Sequence, residues 1–157
     1  MTVRVCQKIL LGAWRKICQG EKVMLIGGFI LDPEQGRLQI PIVKSPTEED
    51  VENTIRRYAC YDGIIALSIV PEPDCGPREL KVHMDSQIFF LMLSHNLECG
   101  DIDVKTISNK CAGAEMVDIL GDRYPARSMT KDLNFICSCF KEFLRDGNVS
   151  ESSLIIS

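Results

Sequence analysis

Apolar residues recur along this chain with two different periods, and the switches between them mark out the elements. Residues 2–19 place Cys6, Ile9, Leu10, Ala13, Trp14 and Ile17 at the i, i+3/i+4, i+7 spacing of one helical face. Arg4, Lys8, Arg15 and Lys16 fall on the opposite face, Thr2 can cap the start, and Gly20 can stop the helix. The period then changes. Lys22–Asp32 and Arg37–Lys44 are β-rich runs, and Asp32-Pro33-Glu34-Gln35-Gly36 between them carries turn chemistry, so a hairpin is predicted. Gly27-Gly28 in mid-strand predicts a bulge or sharp coil, and Pro41 puts the second strand at an edge or bulge.

Ser45-Pro46-Thr47-Glu48 opens a second helix, with Val51, Ile55, Tyr58 and Ala59 as its apolar stripe. Ile64–Val70 is predicted as a buried strand, and Pro71–Pro77 as a stiff loop that no regular element can cross. Glu79–Met84 and Asp101–Ile107 are predicted as strands, Asp85–Leu97 fits a buried strand or a helix with strand favoured for Ile88–Leu93, and Glu115–Tyr124 is predicted as a strand ending in a turn. A C-terminal helix over Thr130–Arg145 is predicted, with Thr130 as cap and Gly147 as stop. The tail Asn148–Ser157 is polar at its start and is expected to fray. Helix, hairpin, strands, helix is an α+β order, not the alternation of a parallel sheet.

Composition narrows the classes. The 157 residues are 45% hydrophobic and 25% charged, globular averages that exclude wholesale disorder. They suit a single domain, expected over 1–147 with a flexible tail at 148–157. No apolar run approaches the ~20 residues a membrane helix needs, so no membrane partner is expected. Eight cysteines, most of them in apolar stretches, read as reduced, buried side chains of an intracellular protein. Residues 1–44 carry seven basic and three acidic side chains, while residues 45–157 carry eleven and nineteen. A bulk basic footprint for nucleic acid is absent, and any such contact would be local.

Enzyme signatures are missing: no phosphate loop, no dinucleotide fingerprint, no zinc-protease helix. The only histidines are His83 and His95, and a metal set drawn from Cys75, His83, His95, Cys99 and Cys111 has no usual ligand spacing. Catalysis, a cofactor and a metal are not expected. The end helices carry more information. The apolar face of Leu133, Phe135, Ile136, Phe140, Phe143 and Leu144 is wider than a small β-core needs, which fits either packing within the chain or a helix shared with partner subunits, the functional reading carried forward. For single-stranded DNA the candidate contacts are Lys22, Arg37, Lys44, Arg56, Arg57, Tyr58 and Tyr61, residues able to hold phosphates and stack on bases.

The helix leading into Gly20–Ile30, the tight turn, Met116–Tyr124 and the Phe140/Phe143 helix resemble the small OB-fold subunits of replication protein A and of the CST telomere complex. That resemblance implies a small OB-like barrel flanked by an N-terminal helix and a C-terminal partner-binding helix, with residues 45–112 as a long insertion. It further implies a nuclear, non-catalytic subunit of a single-stranded-DNA or telomere-protecting complex, joined to other protein subunits. The start of the chain is also similar to MPN domains. Ser68–Pro73 lacks the zinc histidines of the active members, so a catalytically dead scaffold would be implied. A roadblock- or longin-like scaffold is a further alternative.

Overall fold

The computed structural model describes residues 21–157; the helix expected over residues 2–19 lies outside them. The strands are β1 (Val23–Asp32), β2 (Gly36–Lys44), β3 (Asp62–Val70), β4 (Gly76–Asp85), β5 (Ile88–Asn96), β6 (Ile102–Thr106), β7 (Ser108–Asn109), β8 (Met116–Ile119), β9 (Asp122–Pro125), β10 (Met129–Thr130) and β11 (Ile155–Ile156). Two α-helices join them, α1 (Glu48–Tyr58) and α2 (Leu133–Asp146). Seven strands form one antiparallel sheet in the order β2-β1-β3-β4-β5, with β6 and β10 both pairing with the far side of β5.

The sheet is open, which corrects the expected OB-like barrel. Closure would need β2 to pair with the far edge, and that edge is already divided between β6 and β10. The free edge of β2 also resists pairing. Pro41 has no amide hydrogen, and Pro41 and Ile42 together oppose Gly27, because Ile26 faces Val43 whereas Gly28 faces Ile40. The extra residue lies on β2, at the proline that marked an edge or bulge, whereas Gly27 and Gly28 keep an unbroken ladder with β3. Residues 45–112, expected as an insertion, include β3, β4 and β5 at the centre of the sheet.

One face of the sheet carries the main core. Ile26, Ile30, Ile65, Leu67, Leu80, Val82, Leu91 and Leu93 alternate along their strands and pack beneath Val51 and Ile55 of α1 and Ile136, Phe140 and Phe143 of α2. Burying a side chain of this size contributes roughly 1.5–3 kcal/mol. The helix ends are set by local chemistry. Thr47 caps α1 in a box with Asp50, each side chain accepting from the other's backbone N–H. Asp132 caps α2 by accepting from Phe135 N–H, and Gly147, at φ 68°, donates its N–H to Phe143 and ends the helix. The helices are tied by Glu52, which pairs with Arg56 of its own helix and Lys141 of α2, and by Arg145 to Glu48 at 3.1 Å.

Two further expectations change. Glu115–Tyr124, expected as a strand ending in a turn, runs on past that turn into a second strand, because Leu120 and Gly121 take positive φ and reverse the chain. The tail does not fray. Val149 and Leu154 are buried in the main core, and Ile155–Ile156 pairs in parallel with β7.

Candidate functional site

The strands that bear the core face also have a second face, and its register is fixed by the ladders. Phe29 is paired with Gln39 on β2 and Ile64 on β3, Ile64 with His83 on β4, and His83 with Phe90 on β5. The next such row runs Gly27, Ala66, Lys81, Met92, Thr106, and the one after it Lys44, Leu25, Ser68, Glu79, Ser94, Val104. Over β5 this face is covered. Val117, Ile119 and Leu120 of the β8–β9 hairpin and Tyr124 pack with Ile88, Phe90 and Met92 in a second, smaller core. The rings of Phe90 and Tyr124 stack 4.1 Å apart, and His83 meets Phe90 edge-on.

Over β2, β1 and β3 no element among the described residues covers the same face. Leu25, Phe29 and Ile64 pack against neither core, Leu31 is 42% exposed, and Val70 39%. Ile42 is 64% exposed, yet a Cβ on Gly27 would lie 3.1 Å from its Cγ1, so it sits over that glycine. The guanidinium of Arg37 lies 3.8 Å over the Phe29 ring. The open and covered halves meet at a polar strip. Ser68 donates to Glu79 Oε2 at 2.9 Å, and Lys81 Nζ lies 2.8 Å from Glu79 Oε1. Burial raises the Glu79 carboxyl, but the hydrogen bonds from Lys81 and Ser68 outweigh it and hold the group below its ordinary value. His83 is pushed below its ordinary value, chiefly by burial and next by the Lys81 charge; Asp122 and Glu79 oppose that shift.

The expected nucleic-acid contacts divide between two layers. Arg37 and Lys44 lie near the two ends of β2, with Lys22 just before β1. Arg56, Arg57 and Tyr58 belong to α1 on the opposite layer, and Tyr61 follows that helix. Arg56 is occupied by Glu52 and by Asn134 at 2.7 Å, and Arg57 leans on the Tyr58 ring. They do not form one strand-binding track. Of the expected partner-helix residues, Ile136, Phe140 and Phe143 are fully buried, and Leu133, Phe135 and Leu144 pack against the same core.

The thiols and histidines are dispersed. Cys139 is pushed up to about 12 by burial, and Cys137 is raised mainly by burial, so neither is a ready thiolate. His83 and His95 are an even number apart on different strands, but register pairs His83 with Phe90, which puts His95 on the opposite face of β5. Among the described residues no three His, Cys, Asp or Glu side chains converge on a metal-sized site. A cleft of about 450 Å³ between the hairpin and β10 is walled by Ile88, Val117, Ala126 and Met129. Of its polar lining, Asn109 and Thr130 are spent on the backbone of Met129, Cys111 and Asp132, and the charged Glu115 and Lys131 are exposed.

The signal for the open face was present in the sequence. A strand buried on both faces reads as a continuous apolar run, whereas one with a wet face alternates. Val23–Leu31 and Ile64–Val70 read as continuous runs, so they specify a second covered face.

An open antiparallel sheet with both α-helices on one face and a hairpin over half of the other defines the class. Residues 23–153 match the family described as a family of unknown function (DUF6911), and the chain belongs to it. No curated protein matches. A crystal structure of a hypothetical protein from Neisseria gonorrhoeae is similar, with 26% identity and a TM-score of 0.73 over 83% of this chain and 92% of that one. The resemblance to replication protein A and CST subunits loses its basis with the closed barrel it required.

Proposed function

We propose that the protein is a non-catalytic interaction module that binds a basic amphipathic helix of a partner protein on the open face of its sheet. The observation that carries this reading is the apolar second face of β1 and β3, where Phe29 and Ile64 are cross-strand neighbours and Leu25 lies two rows away, without a cover among the described residues. Charge selects the partner's sign. Residues 1–20 hold four basic and no acidic side chains, which leaves −8 on residues 21–157. An apolar face on an acidic domain suits a helix with apolar and basic sides better than a phosphate backbone.

The test uses designed helical peptides, one of leucine and lysine and one of leucine and glutamate, with a single-stranded oligonucleotide beside them. The basic peptide is expected to bind, and Leu31→Glu with Ile42→Glu to weaken it by about tenfold or more. Both side chains are exposed, so the far-UV spectrum should hold and stability should change by only about 0.5 kcal/mol. Preference for the oligonucleotide, or binding untouched by the two substitutions, would overturn the reading.

A further inference from the structure

We infer that β6 is an edge through which two copies of the chain join, paired antiparallel about a two-fold axis centred on Val104. The strand is built for pairing on both sides. Its ladder with β5 runs without a bulge from Asn96/Ile102 to Met92/Thr106, and it holds no proline, unlike β2 at the opposite edge. Leu97 donates its N–H to the Asp101 carbonyl at 2.8 Å, so the hydrogen-bonded pairs continue as His95/Asp103 and Leu93/Lys105. The N–H and C=O groups of Ile102, Val104 and Thr106 therefore point away from β5. No backbone group among the described residues receives them. On the outer face of the strand Ile102 is 55% exposed and Val104 42%, so apolar side chains flank this open row of donors and acceptors.

The charges select both the occupant and the register. Across an antiparallel pair, residues whose backbone groups point outward face one another, so even-numbered residues of one β6 must face even-numbered residues of the other. A two-fold centred on Asp103 sets that carboxylate against its own copy, and one centred on Lys105 sets two ammonium groups together. Like charges directly opposite are destabilising. Centred on Val104, each Asp103 faces Lys105 of the second copy, Ile102 faces Thr106, and Val104 faces itself. Asp103 is exposed and has no ion pair among the described residues, while Lys105 lies 3.2 Å from the exposed Glu151. The segment is thus complementary to itself, which is what an isologous interface requires. This edge lies across the sheet from β2, and the inference stands apart from the reading of the open face.

Sedimentation of the full-length chain over a dilution series tests it. Strands this short give a weak, exchanging dimer, so the average mass should climb from 17.6 kDa toward twice that value as concentration approaches about 100 µM. Val104→Pro removes an N–H that the chain's own fold does not use, and should weaken the dimer by about tenfold or more with the far-UV spectrum unchanged. Asp103→Lys alone should weaken it about tenfold, because the two-fold applies each change twice. Adding Lys105→Asp to Asp103→Lys exchanges the two charges and should restore association, even where the proline variant fails to fold. A chain that stays monomeric throughout would overturn the inference. So would a dimer that survives Val104→Pro in a folded chain, one that the charge exchange does not restore, or one that Leu31→Glu with Ile42→Glu abolishes.

Discussion

His83 stands where the covered and open halves of the outer face meet, edge-on to Phe90 and beside Lys81, and its surroundings make it a reporter of pH. Burial and the ammonium of Lys81 disfavour the imidazolium, while Asp122 and Glu79 favour it, and the net effect is a folded pKa below the ordinary 6.5. Between those two values the folded chain holds fewer protons than the unfolded chain, so stability falls as pH drops from 6.5 toward the folded pKa. The denaturation midpoint is therefore expected to be lower at about pH 5.5 than at about pH 7.5, with His83→Gln removing a measurable part of the difference. An identical pH dependence in the variant would show that other groups set it. Glu79 behaves in the opposite range. Its depressed pKa stabilises the fold above the ordinary 4.5, and that contribution is lost as the carboxyl protonates below it.

Among the elements, β1 and β3 approach each other at two glycines, Gly28 opposite Ile65 and Gly63 opposite Ile30. A Cβ on Gly28 would lie 1.9 Å from the Ile64 carbonyl oxygen, and one on Gly63 would lie 2.2 Å from that of Phe29. Both atoms are backbone and cannot swing aside. Gly63→Ala is expected to cost about 3 kcal/mol, read from urea unfolding. Gly36→Ala, at φ 76° with open space around it, should cost only about 1 kcal/mol. The helix α2 makes a different point. Its sequence shows a broad apolar face, and the pattern alone cannot say whether a partner or the chain's own sheet receives it. The structure gives Phe140 no exposure at all. Phe140→Ala should therefore cost about 3–5 kcal/mol. Phe140→Asp should remove the cooperative unfolding transition itself, so it cannot serve as a selective probe of partner binding.

For the molecule as a whole, local chemistry was legible and closure was not. The first hairpin, both described helices and the strands β3 to β6 follow from period and from turn and stop residues such as Asp32, Gly36 and Gly147, whereas α2 is capped by Asp132 and not by the expected Thr130. Whether a twisted sheet closes depends on which strand meets β5 on its far side, and that pairing joins Phe89 and Phe90 to Thr130 and Met129, some forty residues on. No local pattern encodes such a pairing, so the resemblance supplied a barrel that the ladders contradict. The tail was misread for a similar reason. Its polar start hid Val149 and Leu154, whose partners lie in the distant core. The open face left a trace in the apolar runs of β1 and β3, but of the expected site residues only Arg37 and Lys44 lie on its strands.

The divided far edge of β5 bears on more than topology. Ile88–Leu93 is six consecutive apolar residues with no charge and no proline, the composition from which cross-β aggregates grow. The fold stations this run between β4 on one side and two separate guards on the other, β6 along its second half and only Met129–Thr130 along its first. The short β10 pairing thus shields the backbone of the stretch most capable of recruiting another chain. Loosening of that two-residue contact is the point at which solubility, rather than binding, would fail.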